Sequence, residues 1–187
     1  MIQLIVGNQG SGKTLFMAKM GLKAVNEGKK VYSNFKLNYE HTILTFDDLM
    51  GCKLNNCVVL LDEAHLWGLD SRDSLKRHNK ALVKQFVVQV RKQGVILYIC
   101  TQFPNAIDRR VRDNLDLMIA CQKKILIDGK LKEVIQSENF PDHINIIELE
   151  VMRMYDNKVK YTGFIGNNSW GLYDTHEVIH MIDDDET

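Results

Sequence analysis

Gly7-Asn8-Gln9-Gly10-Ser11-Gly12-Lys13-Thr14 follows directly on the apolar run Ile2-Gln3-Leu4-Ile5-Val6. The octapeptide has the form G-x-x-x-x-G-K-[ST], the loop that wraps nucleotide phosphates between a strand and a helix. Its glycines let backbone N–H groups converge on an anion without Cβ clashes. The helix that follows contributes the positive end of its dipole. The phosphate-binding set is therefore Gly7, Asn8, Gln9, Gly10, Ser11, Gly12, Lys13, Thr14 and Leu15. Lys13 is placed to reach the β- and γ-phosphates, and the Thr14 hydroxyl to hold Mg²⁺, which implies ATP and Mg²⁺ as substrate and cofactor.

Outward from this loop, strand and helix signals alternate. Leu15, Phe16, Met20 and Ala24 recur at helical spacing over residues 13–27, and Gly28 is a suitable stop. A second helix is expected over 74–93, with Leu75, Leu82, Phe86 and Val90 on one stripe and Gly94 as its stop. A short helix is expected after Pro104, carrying Ile107 and Val111. Strands are expected at 2–6, 30–35, 57–61, 95–101 and 117–122. Their continuous apolar character suits parallel strands buried on both faces, so the fold class is α/β. Farther on, Ile147, Leu149 and Val151 alternate with Glu148 and Glu150, and Asp156-Asn157-Lys158 reads as a turn. That is a β-hairpin over about 144–166, added to a core of about 1–125 within a single domain of 187 residues. The tail Asp183-Asp184-Asp185-Glu186-Thr187 has a composition that predicts disorder.

A second chemical motif closes the third strand: Val58-Val59-Leu60-Leu61-Asp62-Glu63. Asp62 is positioned to support Mg²⁺, through water, and Glu63 to polarise an attacking water as general base. An N-cap pair is the plain alternative for these carboxylates. Thr101-Gln102 ends the strand expected between the loop strand and the Asp62 strand, and Gln102 can touch the γ-phosphate there. A guanidinium that neutralises phosphoryl-transfer charge has candidates in Arg72, Arg91, Arg109, Arg110 and Arg112. Among the histidines only His65 is near the site, where simple packing is the expected role, as it is for Trp67 and Trp170.

Composition bounds the rest. Apolar residues at 45% and charged residues at 26% describe a soluble globular chain, and the longest apolar runs, 57–61 and 95–100, are too short to span a bilayer. With a strand starting at Ile2 no signal peptide is expected, and the cytoplasm (a host's, for a viral protein) is the expected location. Cys52, Cys57, Cys100 and Cys121 lack metal-ligand spacing; three read as core and Cys52 as loop. Net charge is zero overall but uneven. Residues 72–132 carry 14 basic and 5 acidic side chains, and residues 133–187 carry 3 and 12. A basic middle suggests phosphate-rich partners, or a solvated face pairing with the acidic third.

The stretch from Arg91-Lys92-Gln93-Gly94 through Val95–Cys100 to Thr101-Gln102-Phe103-Pro104 resembles the R-x-x-G, apolar strand, T-Q-x-P signature of FtsK/HerA-type DNA-pumping ATPases. Within that superfamily the small size resembles the Zot-like group, which includes filamentous-phage assembly ATPases and archaeal-virus genome-packaging ATPases. Val31-Tyr32-Ser33-Asn34 is similar to the group's second-strand motif, and Leu172-Tyr173-Asp174-Thr175 to a motif near the end of the domain. The resemblance implies a RecA-like P-loop core of the additional-strand, catalytic-glutamate type. It implies Gln102 as γ-phosphate sensor and Arg91 as an arginine acting across a subunit boundary, with Arg72 the alternative. It implies hexameric rings moving double-stranded DNA without sequence preference, by basic loops within 72–84 or 123–132, docked on a capsid or membrane shell. Export-type Zot-like ATPases and small-molecule P-loop kinases are the competing functions. A GTP switch lacks its Asn-Lys-x-Asp motif. Asp62-Glu63-Ala64-His65 spells a helicase box without room for a second motor domain.

Overall fold

The computed structural model describes residues 1–50, 54–72, 87, 89–133 and 143–173. Strand β1 (Ile2–Val6) leads through the glycine loop into helix α1 (Lys13–Asn26). Strands β2 (Lys30–Ser33) and β3 (Thr42–Ile43) follow, then a short helix α2 (Phe46–Met50) and β4 (Cys57–Leu61). After β5 (Ile96–Thr101) a one-turn helix α3 (Arg109–Arg112) leads to β6 (Leu117–Ile127) and β7 (Lys130–Glu133). The hairpin β8 (Ile144–Arg153) and β9 (Val159–Ile165) then precedes a 3-10 turn at Asn167–Leu172.

Among the described residues nine strands form one sheet in the order β3-β2-β4-β5-β1-β6-β8-β9, with β7 paired to β6. From β3 to β6 every pairing is parallel; β7, β8 and β9 join antiparallel. β5 lies between the loop strand β1 and the Asp62 strand β4, the additional-strand arrangement expected. Two apolar clusters cover the central strands. Ile2, Leu4, Val59, Leu61, Leu97 and Ile99 face one layer, which includes Leu49, Val90, Ile107 and Val111. Ile5, Val58, Leu60 and Cys100 face the other, filled by Leu15, Phe16, Met17 and Ala18 of α1. Burial on both faces is why these strands read as unbroken apolar runs.

Differences from expectation have local causes. β2 stops at Ser33 rather than Phe35, because the Asn34 side chain bonds the backbone of Asp62. β6 continues to Ile127 because β7 returns beside it through Asp128 and Gly129, at φ 50° and 73°. An Asp-Gly pair is a favoured two-residue hairpin turn, since both positions need positive φ. The expected 74–93 helix lies mostly outside the described residues, as do Cys52 and the 183–187 tail. Cys57, Cys100 and Cys121 are buried free thiols. Among the described residues no helix is long and apolar enough to cross a membrane.

Candidate nucleotide site

The loop sits at the carboxyl end of β1, and its backbone is shaped by glycine. Gly7, Gly10 and Gly12 have φ of 149°, 73° and 92°, where L side chains are strained. A Cβ at Gly7 would lie 2.5 Å from the Cys121 carbonyl oxygen, and one at Gly12 2.6 Å from Ile147 Cδ1. Gly12 caps α1, whose first residues are Lys13 and Thr14. Lys13 is buried and its Nζ donates to the Asn8 carbonyl at 2.9 Å, so the ammonium curls over the loop. The buried Ser11 hydroxyl oxygen has no hydrogen-bond partner among the described residues.

Asp62 and Glu63 leave β4 at the same end of the sheet. Thr14 Oγ1 donates to Asp62 Oδ2 at 2.7 Å, joining the two motifs. Asp62 is 5% exposed. Behind it, burial, with the neighbouring Asp62 charge second, pushes the Cys100 thiol well above the usual range. Tyr173 is held up at about 12 by burial, again with Asp62 next in weight. A hydroxyl and a carboxylate at hydrogen-bond distance behind a glycine cradle are the hard oxygen donors that Mg²⁺ takes. These residues fit that ion and a polyphosphate.

Glu63 adopts a left-handed conformation, φ 44° and ψ 49°, and its N–H donates to Asp62 Oδ1 at 2.9 Å. Gln102 Nε2 donates to Glu63 Oε1 at 3.3 Å. Glu63 Oε2 is buried with no hydrogen-bond partner among the described residues; His65 Nδ1 lies 3.5 Å away. A carboxylate held at one oxygen and without a hydrogen bond at the other has the acceptor capacity to take a proton from water.

The arginines pair with carboxylates or carboxamides outside the loop. Arg91 donates to Asp116 Oδ1 at 2.7 Å and to the Asn114 carbonyl at 3.3 Å. Asp116 in turn accepts from the Ile2 N–H at 2.7 Å. Arg91 therefore lies at the amino end of β1, a strand's length of roughly 13 Å from its own chain's loop. Arg72 forks onto buried Asp70 with Nη2 at 2.6 Å and is 80% exposed. Asp70 pairs with Ile107 across a short bridge, and Arg110 forks the same way onto buried Asp108 at 2.6 Å. Arg112 reaches Asn105, and Arg109 lies 3.5 Å from Asp113. Trp67 packs on the core and Lys123 lies over the Trp170 ring, so both indoles have packing roles.

Sequence reasoning assigned no role to Asn34. Its carboxamide donates to the Asp62 carbonyl and accepts from the Asp62 N–H, both at 2.8 Å. Only the β2–β4 register, Ser33 opposite Leu60, brings the two together.

The family described as Zonular occludens toxin (Zot) matches residues 40–163. No curated protein matches the chain in sequence. In three dimensions it is similar to the N-terminal domain of zonular occludens toxin from Neisseria meningitidis. Identity is 19%, covering 92% of this chain and 98% of that one, with a TM-score of 0.63. It is also similar to the genome packaging NTPase B204 from Sulfolobus turreted icosahedral virus 2, in complex with AMP. There identity is 12%, with 86% and 95% of the two chains covered and a TM-score of 0.55. A KaiC-like protein from the hyperthermophilic archaeon Pyrococcus horikoshii shares 12% identity over 92% of this chain and 89% of that one, with a TM-score of 0.51. With its glycine loop, additional central strand and Asp62-Glu63 end in place, the chain has the α/β P-loop NTPase fold and belongs to the Zot family.

Proposed function

We propose that this chain is an ATP-hydrolysing nucleic-acid translocase, a motor that packages DNA by turning over ATP. The observation that carries the hydrolytic part is Glu63: half-buried, fixed by Gln102 at Oε1, without a hydrogen bond at Oε2 among the described residues, and next to the Asp62 that Thr14 of the loop binds. Residues 7–15 bind the triphosphate, with Lys13 countering charge on the β- and γ-phosphates. Thr14 and Asp62 would hold Mg²⁺, which when bound neutralises phosphate charge. Glu63 Oε2 takes a proton from water as the water oxygen bonds to the γ-phosphorus and the bond to the β–γ bridging oxygen breaks. ADP and phosphate leave. Gln102, bonded to that carboxylate, senses the γ-phosphate.

The packaging reading is supported by similarity to a viral genome packaging NTPase crystallised with AMP, AMPPCP and ATP-gammaS. Zot-family membership favours a second reading, a phage-assembly or DNA-export motor with the same chemistry. In either case subunits form a ring, expected hexameric, around double-stranded DNA, and an arginine completes the neighbour's site. Arg72, exposed and anchored by Asp70, and Arg91 are the donors proposed. Glu63→Gln is expected to bind ATP while turnover falls at least about 100-fold, a loss in the range of general-base removal. Phosphate release with and without DNA measures it, and normal turnover by Glu63→Gln sinks the assignment.

A further inference from the structure

We infer that Asn34 is a positioning residue for the hydrolytic carboxylates, a clamp that fixes the turn carrying Asp62 and Glu63. Up to Ser33, β2 and β4 are joined by ladder pairing, and the Asn34 N–H still donates to the Leu60 carbonyl at 3.2 Å. One step on, the backbone of β2 departs. The Asn34 carboxamide takes over, engaging both the carbonyl and the N–H of Asp62 at 2.8 Å. An amide is the one short side chain that carries a donor and an acceptor side by side.

The clamp sits where the backbone most needs support. Glu63 holds a left-handed conformation that a residue with a Cβ rarely adopts. Such conformations persist only where surrounding contacts over-determine them. Asp62 is fixed at its backbone by Asn34 and at its carboxylate by Thr14 Oγ1 and the Glu63 N–H. Asn34 therefore sets the direction of Glu63 without touching it.

The clamp also has a firm base. Phe35 stacks edge-on against Tyr173 with ring centroids 6.1 Å apart, and Leu37 bridges to Tyr173. The Asn38 N–H donates to the Leu172 carbonyl at 2.9 Å, and its side chain to the Gly171 carbonyl at 2.7 Å. Segment 34–38 thus ties the Asp62 turn to residues 171–173, far along the chain.

This inference rests on the hydrolytic reading of Glu63, and its test separates the two. Asn34→Ala is expected to lower kcat about 10- to 100-fold, the cost of misplacing a catalytic group. The affinity for AMPPCP should stay within about threefold, because the glycine loop is untouched. Asn34→Asp, which keeps the acceptor and loses the donor, should show the same split. Native-state amide exchange should accelerate at Asp62 and Glu63 in Asn34→Ala and stay unchanged in β1. If Asn34→Ala does not fold, the kcat and AMPPCP affinity of Asn34→Asp decide alone. Unchanged kcat, or exchange at 62–63 in Asn34→Ala equal to wild type, overturns the clamp. A wild-type chain that does not hydrolyse ATP overturns the hydrolytic reading instead, and the exchange arm still tests the clamp.

Discussion

Gly7 tolerates a side chain less than Gly12 does. Its φ of 149° strains an L side chain, and a Cβ there meets the backbone oxygen of Cys121 on the adjacent strand β6. Backbone cannot step aside as a side-chain tip can, so Gly7→Ala must distort the loop or part β1 from β6. Calorimetry is expected to show a loss of about 1–3 kcal/mol, the usual cost of one strained residue. AMPPCP binding should weaken at least tenfold, about 1.4 kcal/mol. At Gly12 the obstacle is the Ile147 side chain rather than backbone, yet the φ of 92° remains. Trimming Ile147 should therefore not rescue Gly12→Ala.

Between elements, the segments that follow β4 and β5 are joined by backbone hydrogen bonds, and each carries a short arginine fork that braces the junction. Asp108 accepts from the Arg110 N–H at 2.8 Å and from Nε and Nη2 at 2.9 and 2.6 Å. Its N–H donates to the Leu69 carbonyl at 2.7 Å, closing the clip with Asp70. The guanidinium partners hold the Asp70 and Asp108 carboxyls below their ordinary value. The sign follows from linkage. A depressed carboxyl stabilises fully above its unfolded pKa, near 3.9, and the gain is lost as pH falls through the folded value. Asp108→Asn should cost about 1–3 kcal/mol at pH 7. The gap from wild type should narrow as pH drops below about 4, read as melting temperature against pH. A gap independent of pH would show that the charge contributes nothing. At the other end of the sheet Asp116 joins Arg91 to the start of β1.

At the scale of the molecule, the basic middle of the chain divides into committed and available cations. Lys123 is buried against the Trp170 ring, with burial lowering its pKa, and Lys124 pairs with Glu148 at 2.7 Å. Lys130 and Lys132 lie on the exposed strand β7. The stretch 73–84 lies outside the described residues. If β7 grips the DNA backbone, Lys130→Ala with Lys132→Ala should weaken DNA binding. It should also reduce the slope of log affinity against log salt by about 2, close to one per lost phosphate contact. Lys124→Ala should leave that slope unchanged. A slope unaltered in the double variant places the grip elsewhere.

The glycine loop, the Asp62-Glu63 strand end and the parallel α/β core were legible in the amino acids. Each rests on local chemistry: positive-φ glycines, hard oxygen donors after an apolar strand, and unbroken apolar runs where both faces are covered. β7 escaped because three of its four residues are charged, although Asp128-Gly129 marked its turn. What Arg91, Arg72 and Asn34 touch was not legible, since each partner is set by strand order and register. Arg91 stands just before a central strand in the sequence, yet the direction of β1 puts it at the far end of the sheet from its own loop. Asn34 looked like the end of a strand, and the β2–β4 register set its amide against Asp62. Sequence determined which groups can bind phosphate and activate water, because those depend on neighbours along the chain. Tertiary structure alone decided which groups hold them in place, because hydrogen bonds between distant segments exist only once the strands have chosen their order.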